Sequence, residues 1–177
     1  MFRKFLVLTI CFGLMGCSGQ SKLKNEELIG KFAPYTRLTM LDGEWVALQD
    51  YKGKTTVMVF WATWCNKSRK ALNKINAFAK SLPAGNDGQF FAISVDKSEK
   101  LQEVKERLNS TDLSAFVPAF SGNESADEAY QAFGGESLPY IVVINKAGKV
   151  VAAGNDDAPI YQAFNVNPDS VPAVILP

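Results

Sequence analysis

Histidine is absent from the 177 residues, and cysteine occurs only as Cys11, Cys17 and Cys65. The first absence removes Cys-His nucleophile pairs, imidazole general bases and His-based zinc or copper sites. Excess charge is missing too. Lys and Arg number 19 against 18 Asp and Glu, so there is no basic field of the kind that binds nucleic acid. The one apolar run near the start, Phe5 to Met15, is shorter than the roughly 20 residues needed to span a bilayer. What is present is an ordinary globular composition, 47% hydrophobic and 21% charged, which points to one domain with one core.

The apolar run follows Arg3 and Lys4, and no acidic residue precedes Glu26, the pattern of a secretory signal. It ends Leu14-Met15-Gly16-Cys17, which resembles the lipobox of bacterial lipoproteins. The resemblance implies a signal peptide over 1–16, a lipidated Cys17, and a protein held by that lipid on the periplasmic side of the cell envelope. Ser18 in place of an aspartate favours the outer membrane in the same logic. The polar stretch that follows reads as a flexible tether over 17–28. Once the signal is removed and Cys17 carries lipid, Cys65 is the only free thiol, in a compartment that favours paired cysteines.

Beyond residue 29 the hydrophobic period alternates between strand and helix. Arg37 to Leu48 is expected to form a hairpin about Asp42-Gly43. Thr55 to Phe60 is a continuous apolar and β-branched run, expected as a strand buried on both faces. Leu72, Ile75, Phe78, Ala79 and Leu82 then fall at helical spacing, and the helix should stop at Pro83. A second buried strand, Phe90 to Val95, is followed by Asp96 and Glu99, read as a capping box that opens a helix through Leu101, Val104 and Leu108. A strand, a helix and a second strand in this order imply a parallel pair with a crossover helix. Ser125 and Glu128 predict a further capped helix that stops at Gly134-Gly135. Tyr140 to Ile144 and Lys149 to Ala153 read as a second hairpin, and 157–164 as a last helix. The domain is assigned to 29–165, with 166–177 as a C-terminal tail.

Gly30-Lys31-Phe32-Ala33-Pro34, Leu41-Asp42-Gly43, Lys52-Gly53-Lys54, Phe60-Trp61-Ala62-Thr63-Trp64-Cys65, Ser137-Leu138-Pro139 and Asn145-Lys146-Ala147-Gly148-Lys149 together resemble the TlpA-like branch of the thioredoxin superfamily. The resemblance implies an α/β thioredoxin-like fold, with a central mixed sheet flanked by helices and an N-terminal β-hairpin. It also implies that Cys65 opens the first long helix and faces a cis Leu138-Pro139 bond, and that Trp64, Leu138 and Pro139 contact an extended substrate.

The chain departs from the family's usual pattern at Ser68, where a second, resolving cysteine is expected. Val59 and Ala71 stand where relatives carry buried acids that serve that second thiol. A cysteine at a helix N-terminus faces unpaired N–H groups and the positive end of the dipole, and Lys67, Arg69 and Lys70 lie close by, so the thiolate is favoured. Ser68 is expected to donate a hydrogen bond to that thiolate. Three readings follow. Cys65 and Ser68 form a monothiol exchange site, in which Cys65 takes a protein or small-thiol disulfide as substrate and an external thiol as reductant. Alternatively, the fold is a redox-inactive peptide-binding module, or a peroxiredoxin-like peroxidase. None of these calls for a cofactor or a metal.

Overall fold

The computed structural model describes residues 25–167 and Asp169; the signal segment, Cys17 and most of the expected tail lie outside the described residues. The chain opens with a helical turn, α1 (Asn25–Leu28), and a small antiparallel hairpin, β1 (Arg37–Thr39) and β2 (Trp45–Ala47). Its turn closes with the Gly43 N–H donating to the Met40 carbonyl at 3.1 Å. Gly43 has φ of 90°, which glycine adopts at no steric cost. Within the segment expected as a tether, 17–28, the described part is therefore structured. Leu28 is buried in the core and the Gly30 N–H donates to the Val150 carbonyl.

β3 (Thr55–Trp61) follows, then α2 (Asn66–Ser81), β4 (Gly88–Ser94), α3 (Leu101–Ser110), β5 (Val117–Phe120), α4 (Glu128–Ala132), β6 (Tyr140–Ile144), β7 (Val150–Gly154) and α5 (Ala158–Ala163). Five strands form one mixed sheet in the order β5-β4-β3-β6-β7. β3 lies at its centre, parallel to β4 and antiparallel to β6. The expected central sheet with flanking helices and a hairpin is thus present, and α2 is the crossover of the parallel pair.

Every residue of β3 is buried, because helices cover one face and the hairpin side covers the other. The two-residue period of a strand divides its side chains between these faces. Met58 and Phe60 pack with Leu38, Leu48, Tyr130, Phe133 and Tyr140. Val57, Val59 and Trp61 pack beneath Leu72, Ile75 and Phe78 of α2, Val104 of α3 and Ile160 of α5. Phe78 is the hub of the helical side, with ring centroids 4.9 Å from Tyr161, 5.6 Å from Phe164 and 6.5 Å from Phe90. Asp157 joins α5 to α2 by an ion pair with Lys74 at 2.8 Å.

Two local expectations are corrected. Asp96 does not cap a helix; a 3-10 turn, Ser98–Lys100, intervenes before α3, and the Asp96 carboxylate turns inward to Thr63. α4 is capped by Asp127, whose side chain accepts the Tyr130 N–H at 2.8 Å. Ser125 instead lies in a 3-10 turn, Glu124–Ala126. Strand β5 has no counterpart among the expected elements, and it carries Pro118, which lacks a ladder donor. It is accommodated since β5 is the last strand of the sheet on its side. A bridge from Met40 to Ala119 lays the hairpin against it.

Truncating the hub by Phe78→Ala should destabilise the domain by about 3–5 kcal/mol in denaturant unfolding. A second expectation concerns alkaline pH. Burial, with smaller contributions from Tyr130 and Glu136, pushes Tyr140 up to about 12 from its ordinary value of 10.0. The folded state holds this proton more tightly than the unfolded chain, so the contribution is complete below pH about 10 and is lost as pH rises through about 12. Unfolding midpoints measured across that window should fall, and Tyr140→Phe should lessen the fall.

Candidate active site

Cys65 is the N-cap of α2, just beyond the C-terminal end of the central strand β3. The Leu138-Pro139 bond is cis, as the family pattern implies, and the Cys65 thiol lies 3.8 Å from the Leu138 carbonyl, which can accept its S–H. Cys65 and Leu138 are half-buried and packed against the same core, while Trp64 stands 70% exposed beside them. The structure therefore brings Cys65, Leu138 and Pro139 together from segments 73 residues apart, with Trp64 next to the sulfur in sequence.

The turn that presents Cys65 is held at nearly every residue. The Trp61 carbonyl accepts the Val95 N–H at 2.8 Å, and the Cys65 N–H donates to the Ala62 carbonyl at 3.1 Å. The Cys65 carbonyl accepts the Arg69 N–H at 3.2 Å as the first bond of the helix. Thr63 donates both its N–H and its hydroxyl to Asp96, each at 2.8 Å.

Ser68 is fully buried and takes a different part from the one expected. Its hydroxyl donates to the Cys65 carbonyl at 2.9 Å and accepts the Ala62 N–H at 3.3 Å. A hydroxyl has one proton, and here it is directed at the carbonyl rather than the sulfur. Ser68 thus closes the turn from the helix side.

The basic neighbours are spread over the helix surface. Arg69 bonds the Asn66 side chain at 3.4 Å, whereas Lys67 and Lys70 are exposed, where solvent and salt screen them. The first turn of α2 carries no acidic residue to oppose an anion at its N-terminus. Val59 is buried among apolar side chains beneath α2, and Ala71 is half-buried on it. Neither position can carry a proton to or from sulfur.

Two polar side chains hold the site in roles that local sequence pattern does not show. The spacing of Asp96 and Glu99 points to a helix cap, whereas the Asp96 carboxylate accepts from Thr63. Asn155, just past β7, donates from Nδ2 to the Ser137 hydroxyl at 3.0 Å, to the Ser137 carbonyl at 3.5 Å and to the Pro139 carbonyl. It fastens the loop that carries the cis-proline. No spacing rule points to it, because the contact spans the β6–β7 hairpin.

The AhpC/TSA family model matches residues 29–153. The thiol-disulfide oxidoreductase ResA of Bacillus thuringiensis is 30% identical over 153 residues, covering 85% of this chain and 84% of that protein. The thioredoxin-like protein YneN of Bacillus subtilis is 36% identical over 86 residues, 45% of this chain and 51% of its own length. Among solved structures, the thioredoxin domain of a thiol-disulfide oxidoreductase from Bacteroides vulgatus superposes with a TM-score of 0.61. Its sequence identity is 22%, over 78% of this chain and 98% of that one. At that identity the likeness concerns the fold. The family match, the ResA similarity and the placement of Cys65 against a cis-proline agree: the chain belongs to the AhpC/TSA family, as a TlpA-like member of the thioredoxin superfamily.

Proposed function

We propose that this protein is a thiol–disulfide oxidoreductase that works through the single thiol of Cys65. The observation that carries the reading is the position of Cys65: N-cap of a 16-residue helix, half-exposed, 3.8 Å from the Leu138 carbonyl of a cis-proline loop. A thiolate there attacks one sulfur of a substrate disulfide. A sulfur–sulfur bond to Cys65 forms as the substrate's own breaks, and the departing thiolate takes up a proton. An external thiol then attacks the mixed disulfide and returns Cys65 as thiolate. A second such thiol completes the external disulfide as the substrate sulfur leaves, so the substrate gains the two electrons the external thiols lose.

Within the described residues Cys65 is the only cysteine, so no neighbouring sulfur releases the substrate. Ser68 stabilises the turn and has no part in the exchange itself. Trp64, Leu138 and Pro139 form the substrate-binding edge, with the polypeptide of an extended partner laid along the cis-proline loop. Ala62 speaks against a peroxidase, since it stands three residues before Cys65, where a peroxiredoxin-like site carries a threonine, and it has no hydroxyl to hold a peroxide. Lipidation of Cys17 would keep the domain at the periplasmic face of the outer membrane, a reading supported by the Leu14-Met15-Gly16-Cys17 sequence.

Incubation with a disulfide-linked peptide dimer should yield a mixed disulfide on Cys65 that persists without added thiol and is discharged by glutathione, both read by mass spectrometry. Cys65→Ser should form no adduct. Non-covalent capture of the peptide with no adduct would instead establish the binding-module reading. Ser68→Cys should place a second thiol one helical turn away and shorten the lifetime of the adduct sharply, since release becomes intramolecular.

A further inference from the structure

Asp96 is 1% exposed and forms no ion pair among the described residues, yet three donors converge on its two oxygens. Oδ2 accepts the Thr63 N–H and the Ser94 hydroxyl, each at 2.8 Å, and Oδ1 accepts the Thr63 hydroxyl at 2.8 Å. The Asp96 N–H in turn donates to the Ser94 oxygen at 3.2 Å. A buried carboxylate is costly to keep unless it is well hydrogen-bonded. Beyond a longer-range attraction to Lys100, Asp96 relies on these three bonds, and two of them come from one residue, Thr63, which stands two positions before the reactive cysteine.

We infer that Asp96 is a positioning residue for Cys65: by holding both the main chain and the side chain of Thr63, it sets the turn that aims the sulfur at a docked disulfide. The inference rests on the reading of Cys65 as the exchanging thiol. Thr63 belongs to the turn that the Cys65 N–H closes on the Ala62 carbonyl. With Thr63 locked, Trp64 is directed outward and Cys65 is placed at the helix cap beside Leu138. In a site with a second cysteine, oxidation would brace this turn covalently. Here Ser68 on the helix side and Asp96 on the β4–α3 side brace it by hydrogen bonds alone.

The chemistry at position 96 is specific. A carboxylate only accepts, so it satisfies all three donors, whereas an amide of the same shape turns its NH2 toward at least one of them. A small displacement of the sulfur matters, because a misplacement on the order of 1 Å can cost up to about a hundredfold in rate.

The test compares two reactions of Cys65 in the folded mature protein: exchange with a disulfide-linked peptide dimer, and alkylation by iodoacetamide. Both need the thiolate, so their rate ratio cancels any change in ionisation and reports orientation toward a docked partner. For Asp96→Asn and for Thr63→Val the ratio should fall by about tenfold, while Thr63→Ser, which keeps both bonds to Asp96, should retain it. An unchanged ratio in folded Asp96→Asn would overturn the assignment and leave Asp96 a structural residue. Should Asp96→Asn fail to fold, Thr63→Val removes a single bond of the clamp and decides the matter by the same ratio. If wild-type Cys65 alkylates but does not exchange with the peptide, the exchange reading itself has failed and the positioning role falls with it.

Discussion

Burial of β3 on both faces is the constraint on which the rest of the structure depends. Its side chains divide strictly between two apolar clusters, so a shift of register by one residue would send Phe60 beneath the helices and Val59 toward the hairpin. That alternation fixes where the strand ends, and where it ends fixes where Cys65 emerges. The parallel neighbour β4 sets the height of the site in the same way. The Val95 N–H bonds the Trp61 carbonyl, which ties the two strand ends together just before Asp96 reaches under the loop.

Above this frame the site is assembled from three separate segments. The β3–α2 turn supplies Cys65 and Trp64, the β4–α3 loop supplies Asp96, and the β6 approach supplies the cis Leu138-Pro139 bond, itself fastened by Asn155. Each segment is held by hydrogen bonds to polar side chains in addition to apolar packing. Polar contacts of this kind specify geometry more sharply than apolar ones, because a donor or acceptor misplaced in a buried setting is left unsatisfied.

The residues around Cys65 accord with the proposed single-thiol exchange. Ser68 uses its hydroxyl to close the turn, Val59 extends the apolar floor under α2, and Ala71 presents no acid. A dithiol cycle needs proton traffic to a buried second sulfur, and none of these residues supplies it. What the site presents is one sulfur at a helix N-terminus whose first turn carries no acid, beside a cis-proline loop with a backbone acceptor in reach.

Local pattern was enough to read the hairpin about Asp42-Gly43, the buried runs of β3, β4 and β6, the amphipathic α2 and its stop before Pro83, because each depends on neighbours in the chain. β5 escaped, since Pro118 is acceptable only in a strand at that end of the sheet, and strand order is not a local property. Asp96 and Ser125 satisfied the spacing of a capping box, yet α4 is capped by Asp127, and the carboxylate of Asp96 has better partners 33 residues away in Thr63. The sequence by itself determined the family, the cysteine at a helix start and the serine in place of a cysteine at position 68, all carried by residue identity and short-range spacing. Only the tertiary structure decided what Ser68 bonds and that Asp96 and Asn155 hold the two loops, since hydrogen-bond partners are chosen by distance in space and not by distance along the chain.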